Sequence, residues 1–255
     1  MAAKIWETLE AFRAHFSRDP DMDELVRWLN RLRDALRGEM PTDEMILGMV
    51  KRYMTGRYRT VTKSINIRHA LPRRISPEAI AAEFRPYLQD RIRASAELIK
   101  LNRDEEIERQ LRRFAGWATG ASIAQKGSDD FAELKKGAHK ALSSMTYVRR
   151  RVCIDQGHKL MAAIDDTIAQ QYGALAREWR HIIPHAGYDS RKEHLARDHK
   201  IYAVRGAQGV KPGKNGYVDE LDDQPGELPY CSCFYRSIYN PADLPEDMRS
   251  DASRR

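Results

Sequence analysis

Apolar residues recur at helical spacing from the start of the chain to about Gly173, and the pattern then stops. Ile5, Leu9, Phe12 and Phe16 share one helix face, which ends near Pro20. Leu25, Trp28, Leu29, Leu32 and Leu36 form a second stripe, opened by Asp21 or Asp23 and closed by Gly38. A third helix begins at Pro41–Thr42, with Met45, Ile46, Met49 and Tyr53 on one side. Tyr58 to Arg74 interrupts the series. It alternates Val61, Ile65 and Ile67, ends in Pro72–Arg73–Arg74, and predicts a loop or short strand. Ser76–Pro77–Glu78 supplies a cap, a first-turn proline and a first-turn carboxylate, so a helix is expected to about Lys100, kinked or interrupted at Pro86. Further helices are expected over Glu105–Gln125 and Ser128–Ser143. A long one runs from Thr146 to about Tyr172, with Val148, Val152, Met161, Ile164 and Ile168 on its apolar side and Gly173 as its stop.

Beyond that glycine the texture changes. Leu175 to Ile183 carries Trp179 and a β-compatible isoleucine pair, and Ala203 to Glu227 is rich in Gly and Pro. The fold expected is mainly α. A multi-helix N-terminal part, residues 1–145, is followed by a small α+β, turn-rich module over 146–240, led by the long helix, and by a polar, flexible tail over 241–255. The 255 residues are 42% hydrophobic and 32% charged, which suits long helices with solvated faces. No apolar run approaches the length of a membrane span, and charges interrupt the first 16 residues, so the chain is expected to stay soluble where it is made.

Three cysteines in a chain of this size argue against a disulfide framework. Cys153 falls in a helical pattern and reads as a small buried hydrophobe. Cys231 and Cys233 form a close pair, and two readings compete for them. In one, they join His194 in holding a metal, most naturally zinc, with Asp198, one helical turn after His194, as a further ligand or as a partner of one. In the other they are packing residues. A straight strand would point the two sulfurs to opposite faces, so joint ligation requires a turn or a bulge.

Read in order, the C-terminal segment is Trp179, then Asp189–Ser190–Arg191–Lys192–Glu193–His194, then Arg197–Asp198–His199–Lys200, a Gly-rich stretch, and Pro229–Tyr230–Cys231–Ser232–Cys233. This ordered set resembles the Mu-F-like phage head morphogenesis family of minor head proteins, over roughly residues 146 to 240. Members carry a Trp strand, an Asp-x-Arg-x-x-His segment followed by Leu-Asp-Gly, and a closing Cys-Arg-Cys. Trp179, Asp189, Arg191 and Pro229 fall on the structural motif. His199 stands where the glycine belongs, and Ser232 where the arginine belongs. The resemblance implies a non-enzymatic virion component made in the host cytoplasm. It would act in capsid assembly, in association with the portal or the major capsid protein, and in DNA packaging or delivery.

Other classes carry weaker signals. The chain lacks a Gly-x-x-x-x-Gly-Lys phosphate loop and a His-Glu-x-x-His helix, which argues against a packaging ATPase and a zinc protease of that type. A zinc-dependent hydrolase or nuclease-like effector would use Asp189, His194 and Asp198, with Glu193 as base. The net charge of +7 allows non-specific contact with double-stranded DNA, with Arg149, Arg150 and Arg151 as the candidate contacts. The same charge also describes a solvated basic surface. Trp6, Trp28 and Trp117 read as helix-packing residues.

Overall fold

A computed structural model describes residues 3–15, 21–69, 77–120, 129–183 and 189–250. Helices α1 (Ala3–His15), α2 (Met22–Glu39), α3 (Asp43–His69), α4 (Pro77–Gly120) and α5 (Asp129–Gln171) come first. Strand β1 (Ala176–Arg180), the short helix α6 (Lys192–Arg197), β2 (Ile201–Ala203) and β3 (Phe234–Ile238) follow, joined and trailed by 3-10 turns. The architecture is mainly α with a small α+β module at the C-terminus, as the periodicity predicts. No helix among the described residues is long and apolar enough to cross a membrane.

The helices are longer and fewer than the breakers suggest. Tyr58 to His69, expected as loop or strand, belongs to α3. Ile46, Val50, Met54, Tyr58 and Val61 form one buried stripe at helical spacing. The β-branched residues cost only a few tenths of a kcal/mol each in propensity, and Thr60 and Thr62 return their hydroxyls to the carbonyls of Gly56 and Tyr58. Residues 70–74 of the expected loop lie outside the described residues, as do Phe16 and the cap Ser76.

Pro86 lies inside α4 without ending it. An interior proline costs roughly 3 kcal/mol, and the buried stripe Phe84, Leu88, Ile92, Ala96 and Ile99 on either side of it offsets that cost. Helix α4 also passes through the expected break near residue 104. In α5 the pair Ser143–Ser144 bonds back to the carbonyls of Lys140 and Ala141, which lets the helix run through. Gly38 does not close α2; the helix ends at Met40, held extended ahead of Pro41.

Contacts divide the chain into two compact units, one of residues 1–50 with 93–152, the other of 51–92 with 153–255. The division expected at residue 145 therefore falls within α5. In the first unit an aromatic cluster fills the core. Phe12 meets Trp28 and Phe114 edge-on at centroid distances of 5.4 and 4.5 Å, and Trp117 stacks obliquely on Phe131. Trp28 and Trp117 are buried packing residues, as expected, while Trp6 is half-buried.

In the second unit the antiparallel sheet has the order β2-β1-β3. Ala176 pairs with Ala203 and Ile238, and Trp179 with Tyr235. Strand alternation then separates two clusters. Ala176, Ala203 and Ile238 pack with Leu244 and Met248, whereas Trp179, Tyr202 and Tyr235 pack with Cys231 and Cys233. The first cluster corrects the expectation of a flexible tail from residue 241. Asn240 caps a turn at Pro241–Asp243, Leu244 and Met248 are 2% exposed, and Val210 bridges to Arg249. The apolar pair Leu244 and Met248, spaced by four, anchors an otherwise polar segment. Residues 251–255 lie outside the described residues.

Candidate metal centre

The long helix α5 stops where Gly173 adopts φ +65°, and β1 delivers Trp179 to the interior, fully buried. Helix α6 then places His194 against the Trp179 ring, edge to face at 5.2 Å. After α6 the chain turns back through His199, whose φ is +60°. The left-handed turn that the resemblance expects of a glycine is thus present with a histidine. Asn, Asp and His tolerate this region better than bulkier residues do. Here the His199 N–H bonds to the carbonyl of Trp179 at 2.8 Å, and its ring reaches Glu178.

The cysteine pair lies in a tight turn just before β3 rather than on the strand. Cys231 N–H closes on the Leu228 carbonyl at 3.1 Å, and Tyr230 takes φ +62°. Asp155 of α5 holds the Tyr230 N–H at 2.7 Å. This turn supplies the geometry a straight Cys-x-Cys strand lacks, and both sulfurs face one point. His194 Nδ1 is 3.6 Å from Cys231 Sγ and 3.5 Å from Cys233 Sγ. The three ligand atoms lie within 4.8 Å of one another, and all three residues are buried.

Zinc bonds of about 2.05 Å to nitrogen and 2.3 Å to sulfur, at a tetrahedral angle, place N and S about 3.6 Å apart. The cluster therefore has the spacing, the donor types and the burial to hold a metal ion. Its surroundings fit as well. His194 Nε2 is 2.7 Å from Asp223 Oδ2, so a carboxylate sets the tautomer that leaves Nδ1 free. Asp223 is bonded in turn by Arg197. Burial works against ionisation of Asp223, but its hydrogen bonds from Arg197 and His194 hold it below the usual carboxylate range.

Amide donors converge on the sulfurs. Gly226 N–H lies 3.3 Å from Cys231 Sγ. The Cys231 thiol is held down to about 5, first by hydrogen bonding from the Cys233 thiol, then by the amides of Gly226 and Cys233, against the effect of burial. Cys233, left with the shared proton, is pushed up by Cys231 and by burial. Ile182 N–H and the Trp179 side chain work in the other direction on Cys233. Trp179 Nε1 is buried and makes no hydrogen bond of ordinary geometry, which leaves its N–H to the Cys233 sulfur. A donor of that kind suits an ionised sulfur beside it.

Asp198 is not part of the cluster. It follows α6 as its C-cap, and its Oδ1 is taken by the N–H groups of His181 and His199. The partner role expected of it falls to Asp223. Arg191 donates to the Pro229 carbonyl at 2.9 Å and ties α6 to the cysteine turn. Asp189 and Glu193 are exposed and outside the cluster. Arg150 and Arg151 are exposed on α5, while Arg149 is half-buried and bonds to Met145 and Thr146.

Three residues of this centre carry no sequence motif. Asp223 sits in a turn-rich stretch where pairing depends on the fold. Gly226 takes φ +79°, and a Cβ there would come within 3.2 Å of the His158 carbonyl on α5. His181, with Nδ1 3.3 Å from Cys233 Sγ, had one available signal: it lies two residues beyond Trp179, on the same side of an extended chain. Comparison with protein-family models, with curated proteins and with solved structures gives no match.

Proposed function

We propose that this chain is a non-enzymatic minor head protein of a bacteriophage, acting in capsid assembly beside the portal or major capsid protein, with a C-terminal module held by structural zinc. The observation that supports this most is the convergence of the family-like motif. Trp179, His194, Cys231 and Cys233 meet in one buried centre, and Arg191 and Pro229 bond to each other beside it. A catalytic zinc must keep an open position next to a substrate and a base. The residues a hydrolase would need, Asp189 and Glu193, lie outside this centre, and Asp198 is committed to backbone amides. Zinc is the metal of choice because two thiolates and an imidazole match its preferences. Arg150 and Arg151 add a secondary, non-specific contact with packaged DNA.

The test is mass spectrometry of purified virions from the phage or prophage whose genome encodes the chain. The protein should copurify with the heads at low copy number relative to the major capsid protein. Its absence from purified virions, with normal heads formed after deletion of its gene, would overturn the reading.

A further inference from the structure

Two thiolates and one imidazole leave a tetrahedral metal one ligand short. The geometry points to His181 Nδ1 as the fourth ligand, giving a closed Cys2His2 centre. This inference rests on the proposed zinc reading.

His181 repeats at Cys233 the arrangement seen at His194. Its Nδ1 faces a sulfur, 3.3 Å from Cys233 Sγ, and its Nε2 faces an oxygen, 3.0 Å from Ser190 Oγ. With the hydroxyl accepting, the proton resides on Nε2 and the Nδ1 lone pair faces the Cys233 sulfur. The backbone is fixed as well. The His181 N–H is 2.8 Å from Asp198 Oδ1, and the next amide, of Ile182, is directed at the Cys233 sulfur. The 3.3 Å separation is close to the N-to-S edge of about 3.6 Å in a zinc tetrahedron. His181 meets the cluster through Cys233, so ligation requires its ring to swing towards the other two donors. The alternative role for His181, donation of Nδ1–H to a thiolate, would leave the fourth position to water.

X-ray absorption at the zinc edge on the full-length chain separates the two. Two sulfurs and two imidazoles are expected for the wild type, and two sulfurs and one imidazole for His181→Ala. In competition with a chelating dye, zinc affinity of the variant should fall by about 100-fold or more, beyond the 10–100-fold typical of losing a ligand's hydrogen-bond partner. Circular dichroism of the variant checks that it folds, and the wild-type spectrum decides the ligand count without it. A wild-type zinc site with a single imidazole, and unchanged affinity in His181→Ala, would overturn the inference while leaving the metal centre standing. A wild-type chain that takes up no zinc would overturn the metal reading itself.

Discussion

The first compact unit and the C-terminal module are built from different kinds of interior. The first unit distributes its stability over a broad apolar interior. Leu9, Phe12, Trp28, Leu32, Leu36, Phe114, Trp117 and Phe131 all lie at most 9% exposed. The module instead has a three-stranded sheet of short strands and a chain path full of turns. Its interior includes groups that prefer charge or hydrogen bonds: His194, Cys231, Cys233, Glu178 and Arg177. A structural metal is one of the ways in which short-stranded, turn-rich segments gain stability. Distributed packing tolerates single losses, whereas a staple concentrates stability in a few residues.

The largest effect is therefore expected at the proposed zinc centre. Apparent binding free energies of structural zinc run at about 10–16 kcal/mol, so Cys231→Ser should abolish zinc retention and unfold the module. Limited proteolysis should then cut within residues 176–250 while sparing α1 and α2. Next in size, Phe12→Ala in the first unit should cost about 3–5 kcal/mol in denaturant unfolding. Zinc content should stay unchanged in that variant. A loss of metal from it would show that the two regions do not differ as described.

Asp223→Asn tests the support of the centre rather than the ligands. It keeps the shape but removes the carboxylate from His194 and Arg197, and should lower zinc affinity by about 10–100-fold. The smallest effect is expected away from both cores. Arg150→Ala with Arg151→Ala should cost at most about 1 kcal/mol in thermal stability. It should also reduce the slope of log affinity for double-stranded DNA against log salt by about two, measured by titration at several salt concentrations. Equal slopes for variant and wild type would remove α5 as a DNA contact.

The comparison also explains what could be read from the sequence. Helices in the apolar part were legible because burial writes itself as a period, as with Leu25, Trp28, Leu32 and Leu36. Local signals mislead where they compete with that period. Val61 and its β-branched neighbours point to a strand, Pro86 to a kink and Ser143–Thr146 to a gap, yet one face stays buried through Ile46–Val61, Phe84–Ile99 and Ala138–Val152. In the module the ligand-type residues His194, Cys231 and Cys233 stood out because their chemistry is specific. Their supports did not stand out. Asp198 and Asp223 are equivalent as letters, and only the course of the chain after α6 decides which one faces His194. His199 shows the same limit. Its positive φ could be expected only from its place in the motif, since the residue itself does not announce a left-handed turn.

Elemental analysis of the purified full-length chain, paired with thermal unfolding in the presence and absence of a chelator, tests the central claim most directly. About one zinc per chain is expected, with a large drop in the unfolding temperature of the module once the metal is removed. A metal-free protein whose unfolding is indifferent to the chelator would contradict the account and reduce His194, Cys231 and Cys233 to packing residues.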